Sequence, residues 1–369
     1  MTPRQGPRGA ANPEQNRRAL AGKLSRRDCP RSSVLILYAL SAVLLLGFLA
    51  ETVARRRDAK RWPRPGREVD AGGHGLHARV FGDGERVIVF EADEGAWSTH
   101  WGRLPEELGK VATAVVYDRA GLGWSESGPP PRDTETLARE LHHLLQQIVP
   151  GRPLILVGHG TGGGILRTYA HRYPFETSAL VMVDPDHEGF SDLLRREQVP
   201  LPATQSNLIG LSTLLARFGL LRLLSARQSP NAHLPLPAPK IAALDALELN
   251  PRVRRAAAAE MDCAADNALY LSKLADAAEL PMRVLVATET LAEAEAPQGY
   301  PCDAYNRHWV EQSESFLELS KRAKRLIVEG SSHQLQLERP DIVLEAILEI
   351  IDEVEQLEAL RAAEDSEGS

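Results

Sequence analysis

The chain has 369 residues, enough for one large core or one core with an insertion. Its apolar content of 43% and charged content of 25% are ordinary for a globular protein. The net charge of −7 is uneven: residues 1–33 carry eight Lys/Arg against two acids, residues 51–67 carry seven against two, and residues 68–369 sum to −18. So acidic a folded part excludes nucleic acid as the expected partner.

Residues 1–31, rich in Arg, Pro, Gly and Asn, read as a disordered basic tail. An uncharged run follows from Ser32 to Ala50. As a helix its nineteen residues span roughly 28 Å, near the thickness of a bilayer core. Residues 32–54 are therefore expected to be a single transmembrane anchor. A cleaved leader is the alternative, with small residues near Ala54, but the stretch before the run is long and the run exceeds a usual leader core. Basic residues on both sides leave the orientation almost undetermined. Cys29 precedes the run, whereas Cys263 and Cys302 follow it. A folded part outside the cytoplasm, the expected side, could pair the latter two; two unpaired thiols are the alternative.

After the linker Trp62-Pro63-Arg64-Pro65-Gly66, strands are expected at His77–Phe81 and Arg86–Phe90, joined through Gly82-Asp83-Gly84 as a hairpin-like pair. A helix over Trp101–Val111, a strand at Thr113–Tyr117 and a helix over Thr134–Val149 come next. Strands at Leu154–Val157 and Ala179–Val183 enclose another helix. From about residue 187 to 280 the alternation stops and helical patterns take over. It resumes with a strand at Met282–Ala287, a helix around Trp309–Leu319, a strand at Arg325–Val328 and a long helix from Pro340; the acidic end from Glu364 is expected to fray. Such alternation implies an α/β fold with a mostly parallel sheet covered on both faces. The interruption implies a helical cap, giving a core over 63–186 and 281–361 and a cap over 187–280.

The segment Pro153–Gly164 reads PLILVGHGTGGG: a buried strand, a glycine turn and a helix start. This is the context of the nucleophile elbow G-x-S-x-G, with Gly158 and Gly162 in place and Gly160 where serine belongs. Together with YDRAGLGWS at 117–125, Val183-Asp184-Pro185, and Ser331-Ser332-His333 followed by Pro340, it makes the chain resemble the membrane-anchored bacterial branch of the α/β-hydrolase superfamily. The similarity covers about residues 63–350 except most of the cap. It implies the α/β-hydrolase fold and a chemistry of serine attack, histidine base and supporting carboxylate.

Carried over residue by residue, the resemblance gives His333 the place of the base and Asp184 that of the acid, with Glu289 and then Asp186 as alternatives. Thr161 and Glu94 would offer backbone N–H groups to an oxyanion, the Thr161 hydroxyl pointing away from the tip. Gly160 leaves the nucleophile position vacant, and glycine adopts the strained turn without steric cost. The loop after the third strand adds Asp93 and Glu94, where the family has glycine and small residues; a carboxylate there opposes a developing oxyanion unless it turns to solvent. No cofactor is implied. A metal site from Asp93, His159, Asp184 and His333 is not expected, because no pair has a metal-motif spacing.

The cap segment Leu208–Leu224 is apolar on nearly every side apart from Arg217 and Arg222. It could line an apolar pocket, lie on the membrane, or pack on the sheet as a helix pair. Two readings follow. One is a degenerate hydrolase that binds a small apolar molecule, an ester or a protein partner. The other is a working hydrolase or lyase in which His333 and a carboxylate, with Asp93 or Glu94 as an extra acid or base, activate water without a covalent intermediate.

Overall fold

A computed structural model describes residues 31–200, 206–225, 229–275, 277–293 and 296–367. The expected basic tail and Cys29 lie outside these residues. The chain forms two units, residues 1–47 and 48–369. Helix α1, Arg31–Arg61, begins in the first and ends in the second. From Val34 onward it is long and apolar enough to cross a membrane.

The second unit is built on an eight-stranded sheet. Its first strands are β1 (Arg67–Asp70), β2 (Gly75–Phe81) and β3 (Val87–Glu91). A short turn of helix at Ser98–Trp101 and helix α2 (Leu104–Leu108) lead to β4 (Thr113–Tyr117). Then come α3 (Thr134–Ile148), β5 (Leu154–His159), α4 (Thr161–Arg172) and β6 (Thr177–Val183). Among the described residues, six helices stand between β6 and β7: α5 (Phe190–Arg196), α6 (Ser206–Arg217), α7 (Leu220–Ser225), α8 (Ala238–Glu248), α9 (Pro251–Met261) and α10 (Ala264–Leu271). The chain closes with β7 (Met282–Glu289), α11 (Cys302–Gln312), a 3-10 turn at Ser313–Leu319, β8 (Ala323–Ser332), α12 (Leu335–Glu338) and α13 (Pro340–Glu367).

The sheet order is β1-β2-β4-β3-β5-β6-β7-β8. Only the β1–β2 and β2–β4 pairs are antiparallel; the others run parallel. This corrects the expected hairpin-like pair. β2 and β3 are separated by β4, which pairs Val80 with Val115 on one side and Val89 with the same residue on the other. The Gly82–Gly84 link instead crosses the backbone of Gly109–Ala112, where a Cβ at either glycine would collide. The physical reason lies in β3: all five of its residues are buried, which suits an interior parallel strand and not a hairpin arm. The true hairpin joins β1 to β2 through Gly72 and Gly73, both at positive φ. The helix expected over Trp101–Val111 divides into the turn at Ser98–Trp101 and α2, while the acidic end stays helical to Glu367.

Alternate residues of the central strands feed two cores. Val87, Val89, Val115, Leu154 and Leu156 face α3 and α4 through Leu141, Leu144, Leu166 and Tyr169. Ile88, Phe90, Val116, Ile155 and Val157 face α2 and α13 through Leu104, Leu108, Val343 and Ile347. Apolar side chains are thus needed on both faces, which is why these strands read as continuous apolar runs. Cys263 and Cys302 are both free thiols, the unpaired alternative of the two. Leu156 is wholly buried at the centre of β5. Leu156→Ala should cost about 2–5 kcal/mol of unfolding free energy in chemical denaturation; a loss under 1 kcal/mol would contradict the central packing described.

Candidate active site

The turn from β5 to α4 is tight and runs through three glycines, Gly158, Gly160 and Gly162. Gly160 sits at φ 53, ψ −123, outside the regions that side-chain-bearing residues normally adopt. Gly158 and Gly162 pack so closely on neighbouring backbone that a Cβ at either would collide. Close approach therefore requires those two glycines. At Gly160 the reason is different: a Cβ built there would overlap the carboxylate of Asp93.

Asp93 follows β3 in the turn closed by the Ala96 N–H to the Asp93 carbonyl. Its side chain does not turn to solvent but reaches over Gly160. Oδ1 accepts from the Thr161 N–H at 2.9 Å and from Thr161 Oγ1 at 3.2 Å. Oδ2 lies 3.1 Å from His333 Nε2. This corrects three expectations. The nucleophile position is not vacant, because a carboxylate from the adjacent loop fills it. The Thr161 N–H, read as a donor to a substrate oxyanion, is engaged by the chain's own oxygen. The Thr161 hydroxyl points toward the tip, drawn by that carboxylate.

His333 follows β8, and its other nitrogen, Nδ1, lies 2.8 Å from Asp184 Oδ2. Asp184 directly follows β6, at φ 43, and is fully buried. Its Oδ1 accepts from the Ala287 N–H and the Trp309 Nε1–H, and its Oδ2 also accepts from Thr290 Oγ1. Four contacts thus fix a strained residue in one orientation, which holds the imidazole in turn. Burial opposes a charge on His333, but its hydrogen bonds to Asp184 and Asp93 and their two negative charges outweigh it and push the pKa well above its usual 6.5. The same pair holds Asp93 far below the usual carboxylate range. With a carboxylate at each nitrogen, the protonated form of His333 donates from both. The side chains of Asp93 and His333 remain 21% and 22% exposed, so the pair is partly open to solvent.

The remaining candidates separate clearly. Glu289 is exposed at the end of β7 and is paired across the sheet with Ser332, while the imidazole is held by Asp184. Asp186 is half-buried beside the elbow, its N–H donating to the Gly160 carbonyl at 3.3 Å. Burial and the charge of Asp93 push its carboxyl up to about 7. Burial, then Asp93 and Asp186, push the Glu94 carboxyl up to about 8. His159, ahead of Gly160, donates from Nε2 to the His333 carbonyl at 2.7 Å, and burial lowers its pKa to about 4.

Asp93, His159 and His333 each have one ligand atom within 4.8 Å of the others'. No sequence spacing links these three residues; the fold brings them together from the ends of β3, β5 and β8. A doubly hydrogen-bonded imidazolium has no lone pair to give a metal, so His333 can ligate only after Asp93 releases it and a proton leaves.

A second charged group supports Asp93 from beneath. Arg119, 2% exposed, donates from Nε and Nη2 to both Glu260 oxygens on α9, from Nη1 to Glu91 Oε1, and to the carbonyls of Ala92 and Asp93. Glu260 also accepts from the Gly95 N–H. The roles of Arg119, Glu260, Thr290 and Trp309 at the site arise from contacts between residues far apart in the sequence. Only Arg119 carried a signal, its place in the YDRAGLGWS run. Asp93 carried one too, as an acid where small residues belong.

A family model described as "Alpha/beta hydrolase family" matches residues 74–346. Among solved structures, the epoxide hydrolase CorEH without ligand is similar with a TM-score of 0.58 at 17% identity, covering 78% of this chain and 98% of that one. A thermophilic esterase from Thermogutta terrifontis gives 0.55 at 19%, covering 78% and 98%. At such identities these likenesses concern the fold alone. Among curated sequences, the "Uncharacterized protein YbdG" of Bacillus subtilis is 26% identical over 156 residues, covering 41% of this chain and 48% of that protein. The "Probable transporter efuK" of Hormonema carpetanum is 34% identical over 109 residues, covering 28% and 16%. The chain thus spans less than half the length of each of these curated relatives.

The charge pair makes stability depend on pH at both ends. The raised His333 pKa contributes stability fully below 6.5 and loses it as pH rises through the higher folded value. The lowered Asp93 pKa contributes above 3.8 and loses it as pH falls through the folded value. Asp93→Asn should bring the His333 titration down by about one unit or more in nitrogen-15 NMR. An unchanged His333 titration would show that Asp93 is not its partner.

Proposed function

The chain belongs to the alpha/beta hydrolase family, and we propose that it is a membrane-anchored hydrolase whose nucleophile is Asp93 in place of an elbow serine. The observation that carries this reading is the double engagement of one carboxylate. Asp93 Oδ1 rests on the Thr161 N–H and Oδ2 faces His333 Nε2. A serine mechanism is excluded by Gly160, which has no side chain to attack with. A carboxylate can supply the same step as a covalent catalyst.

The attacking group selects the substrate class. A carboxylate that attacks an ester carbonyl must form an anhydride and expel a poor leaving alkoxide. At a strained sp3 carbon it forms a stable ester while the strain is released. An apolar epoxide is the substrate that fits best. Epoxide hydrolases are among the structures of similar fold, which is consistent with this choice without deciding it.

In the first step Asp93 Oδ2 forms a bond to an epoxide carbon and the ring C–O bond breaks. The departing oxygen keeps the electron pair and takes the proton from His333 Nε2. Asp93 is now an uncharged ester, so the imidazole has lost one of the two anions that held its proton. Neutral His333, still donating from Nδ1 to Asp184, then takes a proton from water as the water oxygen adds to the ester carbonyl carbon. The oxyanion formed at Oδ1 meets the Thr161 N–H. Collapse breaks the bond to the alkyl oxygen, which gains a proton as the diol leaves, and Asp93 and His333 return to their ionised forms. Water and epoxide are consumed and one diol is formed.

The membrane part of the proposal rests on α1, whose apolar stretch is long enough to span. No side of the membrane is proposed, because the cysteine pairing that would favour an outside domain is not formed.

The test is a panel of apolar epoxides and carboxylic esters with four proteins: native, Asp93→Asn, Gly160→Ser, and Gly160→Ser with Asp93→Ala. The native protein should open epoxides and Asp93→Asn should lose activity by about 10³-fold or more, in line with losses of other covalent nucleophiles. Gly160→Ser alone should lose epoxide turnover without gaining ester turnover, because its side chain and Asp93 collide; ester turnover should emerge only in the double variant. Native activity that survives Asp93→Asn, or ester turnover in Gly160→Ser alone, would contradict the reading. An inactive native protein would return the chain to a binding role.

A further inference from the structure

We infer that the exposed leucines of α6 and α7 form a surface that seats in an anionic lipid bilayer beside the anchor, an inference that rests on the anchoring proposed above. Leu211 and Leu214 on α6 and Leu220, Leu223 and Leu224 on α7 are all exposed, with Leu223 at 71% and Leu224 at 68%. Isolated surface leucines are commonplace, but five on two consecutive helices make a patch that calls for a partner.

The occupant is indicated by what holds α7. Arg222, between Leu221 and Leu223, donates from Nε and Nη2 to the two oxygens of Glu51 at 2.9 and 3.0 Å. Its Nη2 also lies 2.9 Å from Asp58 Oδ2. The Glu51 side chain is 1% exposed. A carboxylate that deeply buried is stable only with such a bidentate partner, so the contact is a fixed strap. Glu51 is the residue directly after the uncharged run ending at Ala50, in the same helix. At 1.5 Å per residue, Glu51 and Asp58 lie within about 12 Å of the end of that run. With α1 across a bilayer, the strap begins where the hydrocarbon gives way to headgroups. The leucines on either side of Arg222 are then held at the lipid interface.

Charge specifies the lipid. The same end of α1 carries Arg55, Arg56, Arg57, Lys60 and Arg61, and Arg217 is exposed between the leucines of α6 and those of α7. Basic residues flanking an apolar surface favour anionic headgroups. A patch seated in this way would place the cap helices where an apolar substrate is concentrated.

The test uses the full chain in nanodiscs of phosphatidylglycerol and phosphatidylethanolamine, with Cys29, Cys263 and Cys302 replaced by alanine. Single cysteines at Leu223, at Leu45 in the apolar run and at Phe175, an exposed residue before β6, carry a nitroxide. Oxygen reports contact with lipid and a water-soluble nickel chelate reports contact with water. The expected result is lipid-like accessibility at 223 and 45 and water-like accessibility at 175. Unlabelled Leu223→Asp with Leu224→Asp should raise KM for a bilayer-dissolved epoxide several-fold and leave kcat unchanged. Water-like accessibility at 223 with lipid-like accessibility at 45 overturns the docking and leaves the anchoring intact. Water-like accessibility at 45 overturns the anchoring, and the docking with it. Shielding of 223 from both reagents with spin–spin broadening assigns the patch to a second copy and overturns the lipid assignment.

Discussion

A side chain at position 160 and the carboxylate of Asp93 compete for one volume, and the architecture of the site follows from which of them holds it. Glycine at 160 suits the strained turn, but relief of strain does not explain why the space is filled. The carboxylate enters because three groups receive it: the Thr161 N–H, the Thr161 hydroxyl and the His333 imidazolium. Each of these is a donor that an elbow serine and its reaction intermediate would otherwise use. The donors are retained, and the carboxylate they hold comes from the loop after β3.

Placing an anion there is costly without support, and the support is built from buried charge. Arg119 grips the carbonyls of Ala92 and Asp93 and is itself neutralised by Glu91 and Glu260. Since Glu260 belongs to a cap helix, the loop that carries Asp93 is tied to the cap and to the sheet at once. Removal of one member of such a network leaves a buried charge unpaired, which costs about 3–5 kcal/mol. Precision at Asp93 therefore depends on residues well below the surface of the site.

Much of this was legible before any coordinates. Strand and helix alternation, the glycine frame of the elbow, and the positions of His333 and Asp184 all follow from local pattern, because each is a property of a few consecutive residues. The sheet order near the N-terminus was not. Pairing of β2 with β4 instead of β3 depends on which strand is buried on both faces, and that is settled by the whole sheet. The filling of the Gly160 position was hidden for a related reason. Asp93 and Gly160 are 67 residues apart, and a carboxylate in a loop gives no sign of whether it faces water or an imidazole. Thr290, Trp309 and Glu260 act through contacts across the fold, so their roles have no local signature.

The most direct measurement of the central claim is a single turnover of an apolar epoxide in water enriched in oxygen-18, with enzyme in excess, followed by mass spectrometry of the diol and of the peptide containing Asp93. If Asp93 attacks carbon and water then attacks the Asp93 carbonyl, the first diol carries unlabelled oxygen and the Asp93 peptide gains one heavy oxygen. A first diol that carries the heavy oxygen, with an unlabelled peptide, would contradict the account and show that water attacks the substrate directly.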